Sequence, residues 1–294
     1  MNLKALARYL ANSSLLAHGR QQWLRNQRDW DLRLSKWDKL LVGVYLILND
    51  YSTDQFPPTF LDQQQAFEAE IAYKFALPGT DVDRITDRLM RKPFWSSRSM
   101  RQHLSSLTDL VEVLERLELH PPRKLLELGC GTGWMAELLA LLQFDVVGTS
   151  ISPYEIEDAK SRIQSLAAKR INFSLRFHAT PMETVDEAVG DYLPFDGVFV
   201  FEALHHAYNW RQALAASYRC LRPGGWLVIA QEPNVSHTYV AYRVAKLSNT
   251  HEIGFSRKEL VQQLNAIGFI NVSVVKDRVA FRVKPHWLVA QKDL

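Results

Sequence analysis

The sequence of 294 residues predicts an α/β fold in which a helical N-terminal appendage precedes a doubly wound, mostly parallel, seven-stranded sheet. Three observations support this fold class. Seven short apolar segments follow residue 120, helical patterns separate most of them, and a glycine-rich turn follows the first segment. Residues 1 to about 95 lack this alternation, so we expect two domains, 1–95 and 96–294, with turns at 56–58 and 78–79 in the first.

The second domain can be divided into elements in chain order. Pro121 and Pro122 separate a helical pattern at about 99–119 from the first strand. The predicted strands are 124–128, 145–149, 174–179, 195–201, 225–231, 269–275 and 286–291. The predicted helices between them are 134–142, 153–168 and 256–267. The helix at 153–168 has proline in its first turn and Ser152 as its N-cap, which is a typical helix start.

Composition and charge exclude several classes of protein. Lys and Arg number 35 against 32 Asp and Glu, a balance too even to predict a nucleic-acid partner. The two cysteines, Cys130 and Cys220, form no CxxC pair, so we expect no disulfide framework, no structural zinc and a cytoplasmic location. The longest apolar run, 40–48, is far shorter than the ~20 residues that a membrane span needs, so we expect no stable membrane insertion.

The stretch LLELGCGTGWMAELLA, residues 125–140, places three glycines at alternate positions between a predicted strand and a predicted helix. Glycine costs about 0.5–1 kcal/mol in a regular element, so this spacing indicates unusual dihedrals or close approach to a ligand. A dinucleotide fingerprint would need Gly or Ala where Trp134 stands, and a phosphate loop would need a following lysine, which is absent. A tight turn without a ligand is the structural alternative.

The segment ELGCGTG, 127–133, resembles the first motif of class I S-adenosylmethionine-dependent methyltransferases. The resemblance continues in order through VVGTSISPYEIEDAK, PFDGVFVFEALHHAYNWRQAL, LRPGGWLVIAQEP and GFSRKELVQQLNAIGF, and it covers about 120–294. It implies a Rossmann-like fold, S-adenosyl-L-methionine as cofactor and methyltransferase activity. The cofactor-binding residues that it implies are Glu127, Gly129, Cys130, Gly131, Gly133, Ser150, Ile151, Met182 and Phe201.

Two positions depart from the family pattern. Ser150 stands where the family has an acidic residue that holds the ribose, and losing that bond weakens binding by about 1.5–3 kcal/mol unless Glu155 or Glu157 compensates. If Ser150 alone holds the ribose, Ser150→Asp should tighten cofactor binding. Thr180 stands at a second position where an acidic residue is common, before Met182, which we expect against the adenine or in the core.

These departures leave a second interpretation open, in which the chain is a degenerate, non-catalytic member that serves as a binding or partner subunit.

Candidate bases for methyl transfer follow the fourth strand, at the edge of the sheet where doubly wound folds bind ligands. They are Glu202, His205, His206 and Tyr208. In the resembling LHH pattern the second histidine is the usual base, so we expect His206 to be catalytic, with bracing of the loop as the alternative. Adjacent histidines cannot easily share one ion, so no metal is expected.

The acceptor is expected to be a small molecule. The Asn/Asp-Pro-Pro-Tyr/Phe motif of base-methylating enzymes is absent after the fourth strand. Two additions, the N-terminal segment including 92–100 and the insertion at 236–252, mix aromatic, basic and hydrogen-bonding side chains: Trp95, Arg98, Arg101, His237, Tyr239, Tyr242, Arg243 and His251. Such a mixture suits a polar acceptor, and the resemblance favours a hydroxyl of a natural product or sugar. A homodimer is compatible with the sequence, and a fragment beginning near Ser96 is expected to bind cofactor without turnover.

Overall fold

The structure, a computed structural model, describes residues 2–26, 34–56, 62–76, 81–168, 172–276 and 286–294. The turn expected at 78–79 and most of the one at 56–58 lie outside these ranges. Contacts between Cα atoms divide the chain into two compact units. The helical unit comprises Met1–Ile85 and Val235–Gly254, and the sheet unit comprises Thr86–Asn234 and Phe255–Leu294. The domain boundary expected near residue 95 stays a prediction.

The described helices and strands follow in chain order. The helices are α1 (Leu3–Asn12), α2 (Ala17–Asn26), α3 (Lys36–Ser52), α4 (Gln63–Ala76), α5 (Val82–Met90), α6 (Ser97–Arg116), α7 (Trp134–Leu141), α8 (Pro153–Ala168), α9 (Val185–Ala188), α10 (Trp210–Cys220), α11 (Ser236–Ser248) and α12 (Arg257–Ile267). The strands are β1 (Lys124–Leu128), β2 (Asp145–Ser150), β3 (Ser174–Ala179), β4 (Phe195–Phe201), β5 (Leu221–Glu232), β6 (Phe269–Val274) and β7 (His286–Lys292).

The sheet unit confirms the predicted fold class. Its seven strands lie in the order β3-β2-β1-β4-β5-β7-β6. Strands β1 to β5 pair in parallel, whereas β7 runs antiparallel to both β5 and β6. The order reverses between β1 and β4, and ligands of doubly wound folds bind beside such a reversal, at the carboxyl ends of the strands.

The core of the sheet unit explains why its strands read as nearly continuous apolar runs. Leu125 and Leu126 of β1, Phe199 of β4 and Val228 of β5 are fully buried, because helices cover both faces of a parallel sheet. Leu139 of α7 is buried in the same core. The strand ends that carry the polar candidate residues therefore project from a rigid support.

The helical unit packs α1, α2 and α11 on α3, and α11 also contacts α4. The apolar run at 40–48 lies within α3, where Val42 and Leu46 form a core with Tyr242 of α11. Ser35 caps α3 through a reciprocal pair of bonds with Asp38. No helix in the described parts of the chain is long and apolar enough to cross a membrane.

Candidate functional site

The loop between β1 and α7 needs its three glycines for different reasons. All three have positive φ angles, between 54° and 74°, which favour glycine. A Cβ at Gly129 would lie 2.4 Å from the Cβ of Ala203, and one at Gly133 would lie 2.5 Å from Cζ of Phe177. These two glycines let the loop pack closely against its own unit.

Gly131 differs from its two neighbours. A Cβ there would meet only Oε1 of Glu155, at 4.0 Å, so its backbone borders open space. Packing therefore does not account for this glycine. A residue without a side chain, beside open space and at the start of a helix, allows a ligand to approach the backbone closely.

A serine and a glutamate form the acidic group at the end of β2. The hydroxyl of the buried Ser150 donates to Oε2 of Glu155 at 2.7 Å. Glu155 lies in the first turn of α8, and its other carboxylate oxygen lies 4.0 Å from the position of a Cβ at Gly131. Glu157 is exposed and pairs with Lys160. Of the two compensating glutamates considered from the sequence, Glu155 therefore has the geometry to supply the carboxylate that position 150 lacks.

Glu127, the acidic residue of the glycine motif, is buried at the end of β1. The backbone N–H of Ala136 in α7 donates to its carboxyl group, and Oε2 has no hydrogen-bond partner among the described residues. Burial raises the pKa of Glu127 from 4.5 to about 8. The carboxyl group is therefore mostly protonated at neutral pH.

We expect the stability of the protein to depend on pH through Glu127. The pKa of Glu127 is higher in the folded than in the unfolded protein. Its contribution to the free energy of unfolding is therefore fully present below pH 4.5 and is lost as the pH rises through about 8. Between these values unfolding releases a proton, which lowers the free energy of unfolding by up to about 1.4 kcal/mol per pH unit. Urea unfolding at pH 5, 6, 7 and 8 should show a steeper decline for the wild type than for Glu127→Gln. Parallel declines would contradict this expectation.

The segment after β3 contains two predicted residues with different environments. The Cε atom of Met182 would lie 2.7 Å from a Cβ at Gly129, so Met182 is next to the glycine loop. Thr180 is buried, and its N–H donates to the carbonyl of Ser150. Glu183 is also buried and accepts the N–H of Asn209, the N-cap of α10. Glu183 therefore positions the start of α10.

The remaining predicted cofactor residues lie around the same loop. The N–H of the buried Cys130 donates to the carbonyl of Thr149, which ties the loop to β2. Ile151 is half-buried directly after β2. Phe201 is half-buried at the end of β4, with its ring 6.3 Å from Trp134 and 6.4 Å from Trp287. Its observed contacts are therefore with aromatic rings of the core.

Glu232, at the end of β5, organises the loop that follows β4. This carboxylate has no exposed surface and accepts the backbone N–H groups of Ala203 and Leu204 at 2.7 and 2.9 Å. It also accepts the N–H of His205 at 3.3 Å and lies 2.9 Å from Nδ1 of the same residue. Glu232 is not among the site residues predicted from the sequence. A charged residue that closes a buried strand was the available signal.

The two adjacent histidines have different environments. His205 is buried and held by Glu232, whereas His206 is half-buried, with its ring centre 4.2 Å from that of His205. Tyr208 is half-buried further along the same loop. His205 therefore has the partner expected of an oriented base, and His206 has the greater access to solvent.

A segment at the end of α5 is fastened to the glycine loop and its flanking helices. We call it the strap, residues 89–92. The hydroxyl of Thr132, within the loop, donates to the carbonyl of Leu89. Arg162 of α8 donates to the carbonyls of Met90 and Lys92, and it pairs with Glu137 of α7. The loop is thus supported by residues about forty positions upstream.

The residues of the two sequence additions do not share one role. Arg98 and Arg101 are exposed on α6, and Trp95 is half-buried. Within the helical unit, Tyr242 is fully buried and its hydroxyl donates to Asp50 at 2.6 Å, so it anchors α11. Nε2 of His237 lies 2.8 Å from Oε2 of Glu252.

Comparison with known proteins identifies the family of this chain. A family model described as "Methyltransferase domain" matches residues 92–274, well over half of the chain. The chain is 32% identical over 155 residues to O-methyltransferase cnsE of Penicillium expansum. This alignment covers 50% of this chain and 54% of that protein. It is 26% identical over 171 residues to the S-adenosyl-L-methionine-dependent Diels-Alderase iccD of Talaromyces variabilis, over 56% of this chain and 53% of that protein.

A solved structure matches the fold. It is magnesium protoporphyrin IX methyltransferase of Synechocystis PCC 6803 with bound SAH, which is 14% identical, with a TM-score of 0.56 over 78% of this chain and 100% of that one. The chain spans about half the length of the curated relatives that it matches. The extent of the family match nevertheless assigns the chain: it belongs to the methyltransferase-domain family.

Proposed function

We propose that the chain binds S-adenosylmethionine at the loop between β1 and α7. The observation that carries the proposal is the contrast between Gly131, whose backbone borders open space, and the tightly packed glycines on either side. Glu155 lies next to Gly131 and holds the hydroxyl of Ser150. A carboxylate there can accept hydrogen bonds from the two hydroxyl groups of a ribose. The family membership of the chain supports the same cofactor.

The reaction that we propose is methyl transfer to a hydroxyl group of a small molecule. S-adenosylmethionine, when bound at this loop, would supply the activated methyl group, and S-adenosylhomocysteine would be the second product. The protein holds the acceptor oxygen in line with that methyl group, and His206 takes the proton of the hydroxyl. The O-methyltransferase name of the relative from Penicillium expansum supports an oxygen acceptor of the natural-product class.

A different chemistry on the same cofactor site is the second candidate. The relative from Talaromyces variabilis is named as an S-adenosyl-L-methionine-dependent Diels-Alderase, so one protein similar to this chain is named for another reaction. A chain that binds cofactor without transferring methyl groups would also fit the non-catalytic interpretation of the sequence. A screen of hydroxylated acceptors with methyl-labelled cofactor separates these cases, because only methyl transfer moves the label into a product.

Calorimetric titration tests the cofactor proposal. We expect the chain to bind S-adenosylmethionine and S-adenosylhomocysteine but not NAD. Glu155→Gln should weaken binding of both by about 1.5–3 kcal/mol, roughly 10- to 100-fold, because an amide lacks the charge that strengthens bonds to the ribose. Glu157→Gln, an exposed glutamate of the same helix, is the matched control and should bind normally. Binding of NAD alone, or equal effects of the two variants, would refute the assignment.

The nearby Glu155 changes the result expected for Ser150→Asp. The sequence alone predicts tighter binding, whereas the structure would place a second carboxylate beside the first. Like charges at that distance repel, so we now expect Ser150→Asp to weaken cofactor binding. The same titration distinguishes the two outcomes.

A further inference from the structure

Arg243, on α11 in the helical unit, has a buried guanidinium nitrogen that the fold does not satisfy. Its Nη1 is shielded from solvent and has no hydrogen-bond partner among the described residues. Burial lowers the pKa of Arg243, and no carboxylate in the described parts of the chain offsets this effect. Arg243 as a whole is half-buried, and shielding part of a cation from water without an anion costs free energy, so an arginine at this place is unfavourable for folding alone.

The carboxylates near α11 already have other partners within the helical unit. Asp50 accepts the hydroxyl of Tyr242 and pairs with Lys246 at 2.8 Å. Glu252 lies 2.8 Å from Nε2 of His237. The third, Glu70 of α4, accepts the backbone N–H of His251 at 2.9 Å. Among the described residues, Arg243 is therefore the basic group of α11 that has no anionic partner.

An exposed tyrosine ring lies one helical turn before Arg243. Tyr239 lies four residues earlier, one helical turn away on the same face, and is 50% exposed. Long side chains of a helix lean towards its N-terminus, and this tendency favours an Arg243 side chain over the turn that carries Tyr239. The ring of Tyr239 is held by Phe56, with ring centres 5.6 Å apart. A ligand that reaches Arg243 would thus pass an exposed aromatic ring.

We propose that the helical unit holds a binding site for a small aromatic carboxylate, with Arg243 binding the carboxylate and Tyr239 contacting the ring. The planar guanidinium matches a carboxylate in a two-bond arrangement. A phosphate dianion fits less well, because the neighbouring cation, Lys246, is already paired with Asp50. The proposal does not depend on methyl transfer, since the site lies within the helical unit and binding can be measured without turnover.

Ligand-observed NMR titration of the full chain with benzoate tests this site. We expect saturable binding to the wild type, and binding about tenfold or more weaker in Arg243→Gln, as loss of a charged hydrogen-bond partner implies. Arg8→Gln, an exposed arginine on α1 of the same unit, makes the same change of charge and should bind benzoate normally. Benzamide, which is neutral and of the same shape, should bind more weakly than benzoate.

Other outcomes would overturn the proposal. These are no saturable binding to the wild type, equal binding to wild type and Arg243→Gln, equal binding of benzamide, or tighter binding of inorganic phosphate. A thermal melt separates a binding role from a structural one. Arg243→Met should unfold at the same or a higher temperature than the wild type, because it removes an uncompensated buried charge. A clear loss of thermal stability would show that Arg243 serves the fold.

Discussion

The His206→Ala protein should transfer methyl groups about 10²–10⁴-fold more slowly than the wild type, which is the usual contribution of a general base. Its affinity for S-adenosylmethionine should be unchanged, because the residues proposed to hold the cofactor lie in the loop after β1, at the end of β2 and on α8. Turnover with saturating cofactor, measured beside calorimetric binding, separates the two effects. Normal turnover would reduce His206 to a structural residue of the loop.

His205→Ala is the informative control, because the structure gives this neighbour a separate role. Nδ1 of His205 lies 2.9 Å from the carboxylate of Glu232, within a buried group of hydrogen bonds. We expect a smaller loss of turnover than in His206→Ala. A larger loss in His205→Ala would transfer the role of base to the pair of His205 and Glu232, since a base oriented by a carboxylate is a recurrent catalytic arrangement.

Glu232→Ala should lower the free energy of unfolding by about 3–5 kcal/mol, because each buried donor that is left without its acceptor costs about 1–3 kcal/mol. Three backbone N–H groups and the imidazole of His205 would lose their acceptor. Urea unfolding followed by tryptophan fluorescence measures the change. Glu157→Ala, on the exposed face of α8, is the control and should change stability by less than about 0.5 kcal/mol.

Two further results complete the Glu232 test. Glu232→Gln keeps the shape and one acceptor oxygen, so its loss of stability should be smaller. If Glu232→Ala is as stable as the control, water must replace the lost acceptor, and the loop after β4 would not depend on this side chain.

The spacing of apolar residues along the chain was enough to predict most strands and helices of the sheet unit. The bounds predicted for β3, β4 and α8 agree with the structure, because each element is flanked by turn residues or a helix start. Strand β5 begins four residues earlier than predicted, at Leu221. Its Pro-Gly-Gly sequence indicates a turn, but the chain continues in the sheet past a shift in register between Phe195 and Gly197 of β4. A bulge of this kind depends on the partner strand, which the local sequence does not reveal.

The candidate site was predictable in part, for a similar reason. The glycine loop and Glu155 could be found because they lie within or near one local motif. Glu232 contacts residues 27 to 29 positions away, and that contact exists only because β4 and β5 are neighbours in the sheet. The strap likewise lies about forty residues before the loop that it supports. Arg243 was noted from the sequence, but that its Nη1 has no partner among the described residues could be recognised only from the packing around it.

The strap has a consequence for dividing the chain into fragments. A fragment beginning at Ser96 would lack the carbonyl groups of Leu89, Met90 and Lys92, which accept bonds from Thr132 and Arg162. Both donors would lose these acceptors, one of them inside the glycine loop itself. Weak cofactor binding by such a fragment would then reflect a damaged loop, and would say nothing about the helices before residue 86. The smallest fragment that preserves the glycine loop therefore begins upstream of Leu89.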